Sequence, residues 1–512
     1  MEFALGWITL FLAAAIVTLV VWQVRTGRHP IVSARNFFFA GFIVYQLTSG
    51  SIAFFTQQYW EVPLANPEAT GILYVLWCTI FLVVFLAAYH TGWFTLGLPK
   101  LLAKPSPAPA PATMMSLALG FLVLGYAMRL GFQYVPVIGV LGTMTGVTLA
   151  VAAAGVACWV WAKQLFNPTR AAFAMTIFGA ATALAIFRTF GRRDLVSVAI
   201  ACLWGAYHGH FKKQDLRRMA LPFAGVALAG LLVIAAYTSV RSHESKEQGF
   251  VAQLSALANA DIKFGLVDIF AGQGTAPISM WLMESRPDSF EYDTLHSLRY
   301  TFLNIIPREW WSGKLSSLGL DMVPQAGISN KGTGFTVGPG LMGHIANDNP
   351  YICLVLYPLL LGAFLRILDE MVAREPDNLF VVIPVGVALG EIVAIPRGEL
   401  GLFTFRTILA VVAAYIGMRV VAKLLVGFGL RYNVAIGTGE GGSESAQTAD
   451  RYGDSSQALG LASESNHEPG YSGSPDQAGG AVDAGSVANA DGAAQATQDA
   501  SRPSVPWGLQ RS

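Results

Sequence analysis

The chain has 512 residues, of which 54% are hydrophobic and only 13% charged, and its mean hydropathy is +0.50. An average soluble domain carries about 25% charged residues, so a soluble fold has no way to cover this much apolar sequence. The net charge of +1 conceals an acidic C-terminal stretch, with ten acidic and three basic residues from Glu440 onward. The basic excess elsewhere lies mostly in short loops, where it sets membrane orientation, and does not point to nucleic acid.

Eleven apolar runs of roughly membrane-spanning length follow one another. They are Phe3–Val21, Phe37–Phe55, Gly71–Tyr89, Met114–Leu130, Ile138–Trp161, Ala171–Phe187, Leu195–Tyr207, Ala220–Tyr237, Tyr351–Ile367, Leu379–Ile395 and Leu402–Val421. The first contains no basic n-region and is too long for a signal peptide, so it reads as a span. The sixth and seventh are short, and a re-entrant path for either would change the parity downstream.

Every odd run ends on a basic loop: Arg25 and Arg28, Lys100 and Lys104, Lys163 and Arg170, Lys212 and Lys213, Arg366 and Arg374, Lys423 and Arg431. The loop Gln57–Thr70 has two Glu and no Lys or Arg. The alternation places the N-terminus outside and the C-terminus in the cytoplasm. The expected organisation is an all-α polytopic membrane protein in four parts. N-terminal transmembrane helices occupy 1–238, a large external loop 239–349, C-terminal transmembrane helices 350–430, and a disordered cytoplasmic tail 431–512. The tail is rich in Gly, Ser, Ala, Asp and Gln and cannot bury enough apolar surface to fold alone. Pro105, Pro107, Pro109 and Pro111 form an extended spacer. Cys78, Cys158, Cys202 and Cys353 each lie in an apolar run, without metal-ligand spacing, and read as small buried hydrophobes.

The loop is not of low complexity. It holds Trp281, Trp310 and Trp311, and Ile278, Trp281 and Leu282 recur at helical spacing within Pro277–Leu303. An amphipathic helix at the membrane interface and a small packed subdomain both fit this pattern.

Arginines on the outer side oppose the orientation rule and need a reason. Arg129 ends the fourth run, and Arg188, Arg192 and Arg193 lie between the sixth and seventh. Arg299, Arg308 and Lys314 lie in the large loop, and Arg397 between the tenth and eleventh runs. Any one of them can be a side chain snorkelling to lipid headgroups. Converging from four loops, the set favours a phosphate site, because the planar guanidinium donates two parallel hydrogen bonds. Asp194, Glu309 and Glu399 accompany them, and Glu391 sits inside an apolar run. An intramembrane carboxyl is either functional or the structural partner of an arginine such as Arg397. The glycine-rich stretch Asn330–His344 lacks the spacing of a nucleotide phosphate loop and reads as a turning loop over the site. His344 is the one histidine in it, either functional or simply hydrogen-bonded.

The segment Phe290-Glu-Tyr-Asp-Thr-Leu, followed by Asn304-Ile-Ile-Pro-Arg-Glu-Trp-Trp-Ser-Gly-Lys314, resembles the oligosaccharide repeat-unit polymerases, the Wzy-like group that includes O-antigen polymerases. Gly338-Pro-Gly-Leu-Met-Gly-His344, leading into an apolar run, and Gly191-Arg192 are similar to further elements of that group. Asp293 stands where the group has glycine, and Ser312 and Ser316 where it commonly has proline. The resemblance implies a GT-C-like membrane glycosyltransferase of the bacterial inner membrane. It would polymerise polyprenyl-pyrophosphate-linked oligosaccharides at the external leaflet; the sequence itself shows no metal cluster, so no metal or other cofactor is expected. A flippase and a chain-length regulator would be its partners besides the lipid bilayer. The pyrophosphate would be held by Arg192, Arg193, Arg308 and Arg397, with Arg299 and Lys314 in reserve. The base would be one of Glu309, His344 and Glu399. An O-antigen ligase-type transferase and a lipid-linked glycan transporter are the alternatives.

Overall fold

The protein is described here from a computed structural model covering residues 1–427, apart from 60–61, 93–94, 104–108, 133, 136–138, 187–191, 215, 241–254, 257–258, 271–273, 307–309 and 329–335. Most of the proline spacer and all of the acidic tail lie outside the described residues. Among the described residues all regular structure is helical.

The helices are α1 (Glu2–Arg25), α2 (Ala34–Phe42), α3 (Ser49–Thr56), α4 (Pro67–Thr91), α5 (Leu98–Leu102), α6 (Pro111–Phe132), α7 (Gly139–Ala162), α8 (Pro168–Ile186), α9 (Arg192–Gly209) and α10 (Leu216–Val240). Short helices follow: α11 (Ile262–Phe270), α12 (Thr275–Ser285), α13 (His296–Leu303), α14 (Leu318–Gln325) and α15 (Gly340–Asn347). The chain closes with α16 (Pro350–Arg374), α17 (Leu379–Ala394) and α18 (Leu400–Gly427). Each of the eleven apolar runs falls on helix. Among the described residues, eight segments are long and apolar enough to cross a membrane. The other three runs are α9, α10 and α17. Helix α9 carries Arg193 and Asp194 in its first turn, α17 has only 16 residues, and of α10 only Gly230–Val240 is described without interruption.

Small residues let the central helices approach closely, the usual basis of packing where lipid removes the hydrophobic drive between helices. A Cβ on Gly146 of α7 would lie 2.7 Å from the Gly125 carbonyl oxygen of α6. One on Gly205 of α9 would overlap the Gly155 carbonyl of α7, and one on Gly390 of α17 would overlap Ser197 of α9. Helix α7 is buried over most of its length, whereas α1 turns Phe3, Trp7 and Phe11 outward.

The second apolar run is broken by a π-turn at Ile43–Thr48 between α2 and α3. The wider turn accompanies a polar junction. Tyr74 of α4 donates to the Gln46 carbonyl (3.0 Å) or side-chain oxygen (2.7 Å), and Gln46 Nε2 donates to the Pro396 carbonyl (2.5 Å). The turn between α17 and α18 therefore lies level with the middle of the second run.

The long loop does not rest on the surface as an interfacial helix. Pro277–Leu303 forms two helices joined by a turn, and α12 is buried on every face, with Ile278, Met280 and Leu282 at 0% exposure. Helix α15 is equally buried, and Ser279 of α12 donates to the Pro339 carbonyl at 2.8 Å. Helix α12 packs on α3, and both α12 and α15 lie beside Gln46, a close approach that Gly340 allows, with φ +73 and no room for a Cβ against Thr275 and Gln46. The opposite end of the bundle is tied by Asp369 of α16, which accepts from the backbone N–H groups of Ala34 (2.6 Å) and Arg35 (3.1 Å) and from the Tyr89 hydroxyl (2.7 Å).

Candidate functional site

The first two turns of α18 form the spine of the site. Leu400 meets α15, Gly401 packs on the Ser297 carbonyl of α13, Phe403 lies under Arg193, and Arg406 reaches α9 and α17.

Four charged side chains meet within the bundle. Arg406 contacts Asp194 and Glu391, both at 3.1 Å. Arg193 contacts the same two carboxylates at longer range, 3.6 and 3.5 Å, with its guanidinium 4.9 Å over the Phe403 ring. Arg129 of α6 is buried close enough for Asp194 to act on its charge. Among the described residues, Arg193 and Arg406 thus share the two carboxylates, with Arg129 near one of them. Burial of unpaired charge is costly, which explains why each carboxylate here has at least one arginine. One oxygen, Glu391 Oε2, is buried without a hydrogen-bond partner. A cavity of about 20 Å³, room for one water-sized guest, lies alongside between α7, α9, α17 and α18. Thr148, Asp194, Ser197, Glu391 and Arg406 supply its polar lining.

A second polar network joins α13, α15, α16 and the start of α18. The Leu400 N–H donates to His344 Nε2 at 3.1 Å, so His344 carries its proton on Nδ1, which lies 2.7 Å from Ser297 Oγ. Burial and the neighbouring His296 push the His344 pKa down to about 3. Asp348 accepts from the Ser297 N–H at 2.6 Å, from Asn347 Nδ2 at 2.9 Å and from the Tyr357 hydroxyl. Glu399 lies 3.9 Å from His344 Nε2. Its two oxygens each accept one backbone N–H at 3.0 Å, from Leu318 and Gly319, and so cap α14. Burial raises the Glu399 pKa to about 7, against the lowering effect of those two N–H groups.

The sequence-derived candidates divide as follows. His344 and Glu399 are brought together, both buried, with His344 bonded at both ring nitrogens. Arg193 joins the charge cluster. Arg192 begins α9, its side chain outside the described residues, as are Arg308, Glu309, Arg188 and Gly191. Arg397 lies apart, over the Tyr45 ring at 5.7 Å. Arg299 pairs with Asp293, and Lys314 Nζ donates to the carbonyls of Asn304 (2.9 Å) and Ile306 (2.7 Å). The expected Glu391–Arg397 pairing is replaced by Glu391–Arg406 and Glu391–Arg193, because Arg406, one and a half turns into α18, lies across from α17.

Sequence reasoning passed over Arg406, Ser297, Asp348 and His296. Arg406 had a signal, a basic residue well inside an apolar run. Ser297 had none. Among the described residues no three His, Cys, Asp or Glu gather as a metal site. Against family models, curated proteins and solved structures the chain finds no match, so the reading below rests on its own residues.

Proposed function

We propose that the protein is a membrane glycosyltransferase that polymerises oligosaccharide repeat units carried on polyprenyl pyrophosphate, working at the external leaflet with an eleven-span GT-C-like body. The observation that carries the reading is the gathering, among the described residues, of arginines about two carboxylates at one recessed place in an apolar bundle. Arg129, Arg193 and Arg406 oppose Asp194 and Glu391, and Arg192 begins the same helix as Arg193. A pyrophosphate leaving group develops negative charge as the sugar–phosphate bond breaks, and arginines aimed at it stabilise that charge. Arg193 is the member free to turn toward a ligand, since its ion pairs are the longest and its side chain is 23% exposed against 12% for Arg406.

Incubating the purified protein in nanodiscs with a polyprenyl-pyrophosphate-linked repeat unit from its host, without nucleotide sugar, tests this directly. A ladder of lengthening glycans is expected, with Arg193→Gln slower by about 10²–10³-fold. A single unchanged band from folded wild-type protein overturns the polymerase reading. Transfer to a different acceptor only would instead identify a ligase-type transferase.

One observation favours a second reading. The Arg406–Glu391 pair and its cavity sit inside the bundle, the position at which transporters hold charged groups. Uptake of the same lipid-linked unit across liposomes, without elongation, would establish that reading.

A further inference from the structure

Two buried acceptors in the α13–α15 network have no hydrogen-bond partner, His296 Nε2 and Asn347 Oδ1. His296 is 3% exposed and Asn347 1%. The backbone makes the two residues neighbours, since the Asp293 N–H donates to the Asn347 carbonyl at 3.0 Å and the His296 N–H to the Asp293 carbonyl at 2.9 Å. His296 Nδ1 lies 2.6 Å from Asp293 Oδ2. A carboxylate oxygen accepts, so Nδ1 carries a proton, and in the neutral form of the ring Nε2 presents a bare lone pair. Asn347 is likewise fixed, because its Nδ2 donates to Asp348 and leaves Oδ1 as the open end. The ring is held against Tyr300 in a parallel stack, with centroids 6.0 Å apart. Arg299 grips the far oxygen of Asp293, and that pair is about half exposed, so His296 lies just beneath the surface of the body.

Two unpartnered buried acceptors are expensive unless a donor comes to them, and the matching ligand group is an O–H. A carboxylate-oriented imidazole with an open Nε2 is also the arrangement that accepts a proton in acid–base catalysis. We infer that His296, oriented by Asp293 and flanked by Asn347 Oδ1, binds the acceptor sugar's hydroxyl and takes its proton. The inference rests on the glycosyl-transfer reading above. The acceptor oxygen forms its bond to C1 of the donor sugar as its proton passes to Nε2. The C1–O bond to pyrophosphate breaks, and the electron pair leaves on the phosphate oxygen. The imidazolium then returns the proton to solvent.

Two measurements on the full-length protein in nanodiscs test it. The first is the ladder assay with His296→Gln, whose rate should fall by about 10²–10⁴-fold while binding of the lipid-linked unit is kept. The second is the ¹⁵N spectrum of histidine-labelled wild type, assigned by difference from His296→Gln, with free repeat-unit oligosaccharide added as probe. A bare Nε2 that shifts on addition is expected. A protonated Nε2 at neutral pH, or an unimpaired ladder in His296→Gln, overturns the assignment. An unmoved bare Nε2 with an unimpaired ladder marks a site for structural water only, and also overturns it. If wild type makes no ladder, the polymerase reading fails, and the ¹⁵N response alone decides: movement with the oligosaccharide supports a hydroxyl site, and none overturns it.

Discussion

Glu399 and His344 are 3.9 Å apart and titrate in opposite senses. Burial raises Glu399 from 4.5 to about 7, so its native form holds a proton that the unfolded chain has lost. Its contribution to stability is full below pH 4.5 and declines as pH rises toward 7. Burial lowers His344 from 6.5 to about 3, so its contribution is full above pH 6.5 and is lost on acidification. Between pH 4.5 and 6.5 the two slopes cancel. Glu399→Gln removes one of them. The variant's stability relative to wild type should then rise by about 3 kcal/mol across that window, from two pH units at about 1.4 kcal/mol each. Thermal unfolding in nanodiscs at stepped pH measures the difference curve, and a flat one would show that Glu399 does not hold its proton in the folded state. Both residues could be singled out in the sequence by type and place. Their contact could not, since 55 residues of chain separate them and α13–α15 must fold before they meet.

At the scale of elements, glycine marks where helices touch. Gly205 of α9 faces the Gly155 carbonyl of α7 with no space for a methyl group, whereas Gly179 of α8 faces nothing within 4 Å. Gly205→Ala should push α9 from α7 and destabilise the protein by about 1–3 kcal/mol, the usual cost of overpacking. Gly179→Ala should be neutral or stabilising by up to about 1 kcal/mol, through helix propensity alone. Equal melting temperatures for the two variants would contradict the α7–α9 packing. Both glycines lie in apolar runs of similar composition, so nothing in the sequence separates them. The short buried helices α12 and α15 were hidden for a related reason. At 11 and 8 residues they are too short to read as spans, and a loop boundary drawn from hydropathy leaves them outside.

For the whole molecule, the alternation of basic loops assigns opposite faces to the α12–α13 turn and the α16–α17 turn. The native cysteines are favourable for testing this, since Cys78, Cys158 and Cys353 are buried and Cys202 partly so. Asp288→Cys on intact cells should react with an impermeant maleimide, and Asp377→Cys only after permeabilisation. The reverse pattern would invert the orientation and move the charge cluster to the cytoplasmic side, away from externally displayed lipid-linked glycans.

Sequence alone determined the class of molecule and the path of its apolar helices, because water and hydrocarbon sort side chains by composition over about 20 residues, and that sorting is local. It also exposed Arg193, Glu391, His344 and Glu399 as residues out of place. Only the tertiary structure decided their partners. Arg406 rather than Arg397 neutralises Glu391, Glu399 caps α14, and Asp293 turns the open nitrogen of His296 inward. Pairing of this kind depends on which helix faces which, and that was set by close contacts at glycines such as Gly146, Gly205 and Gly390, whose meaning lies in their neighbours and not in their own run of sequence.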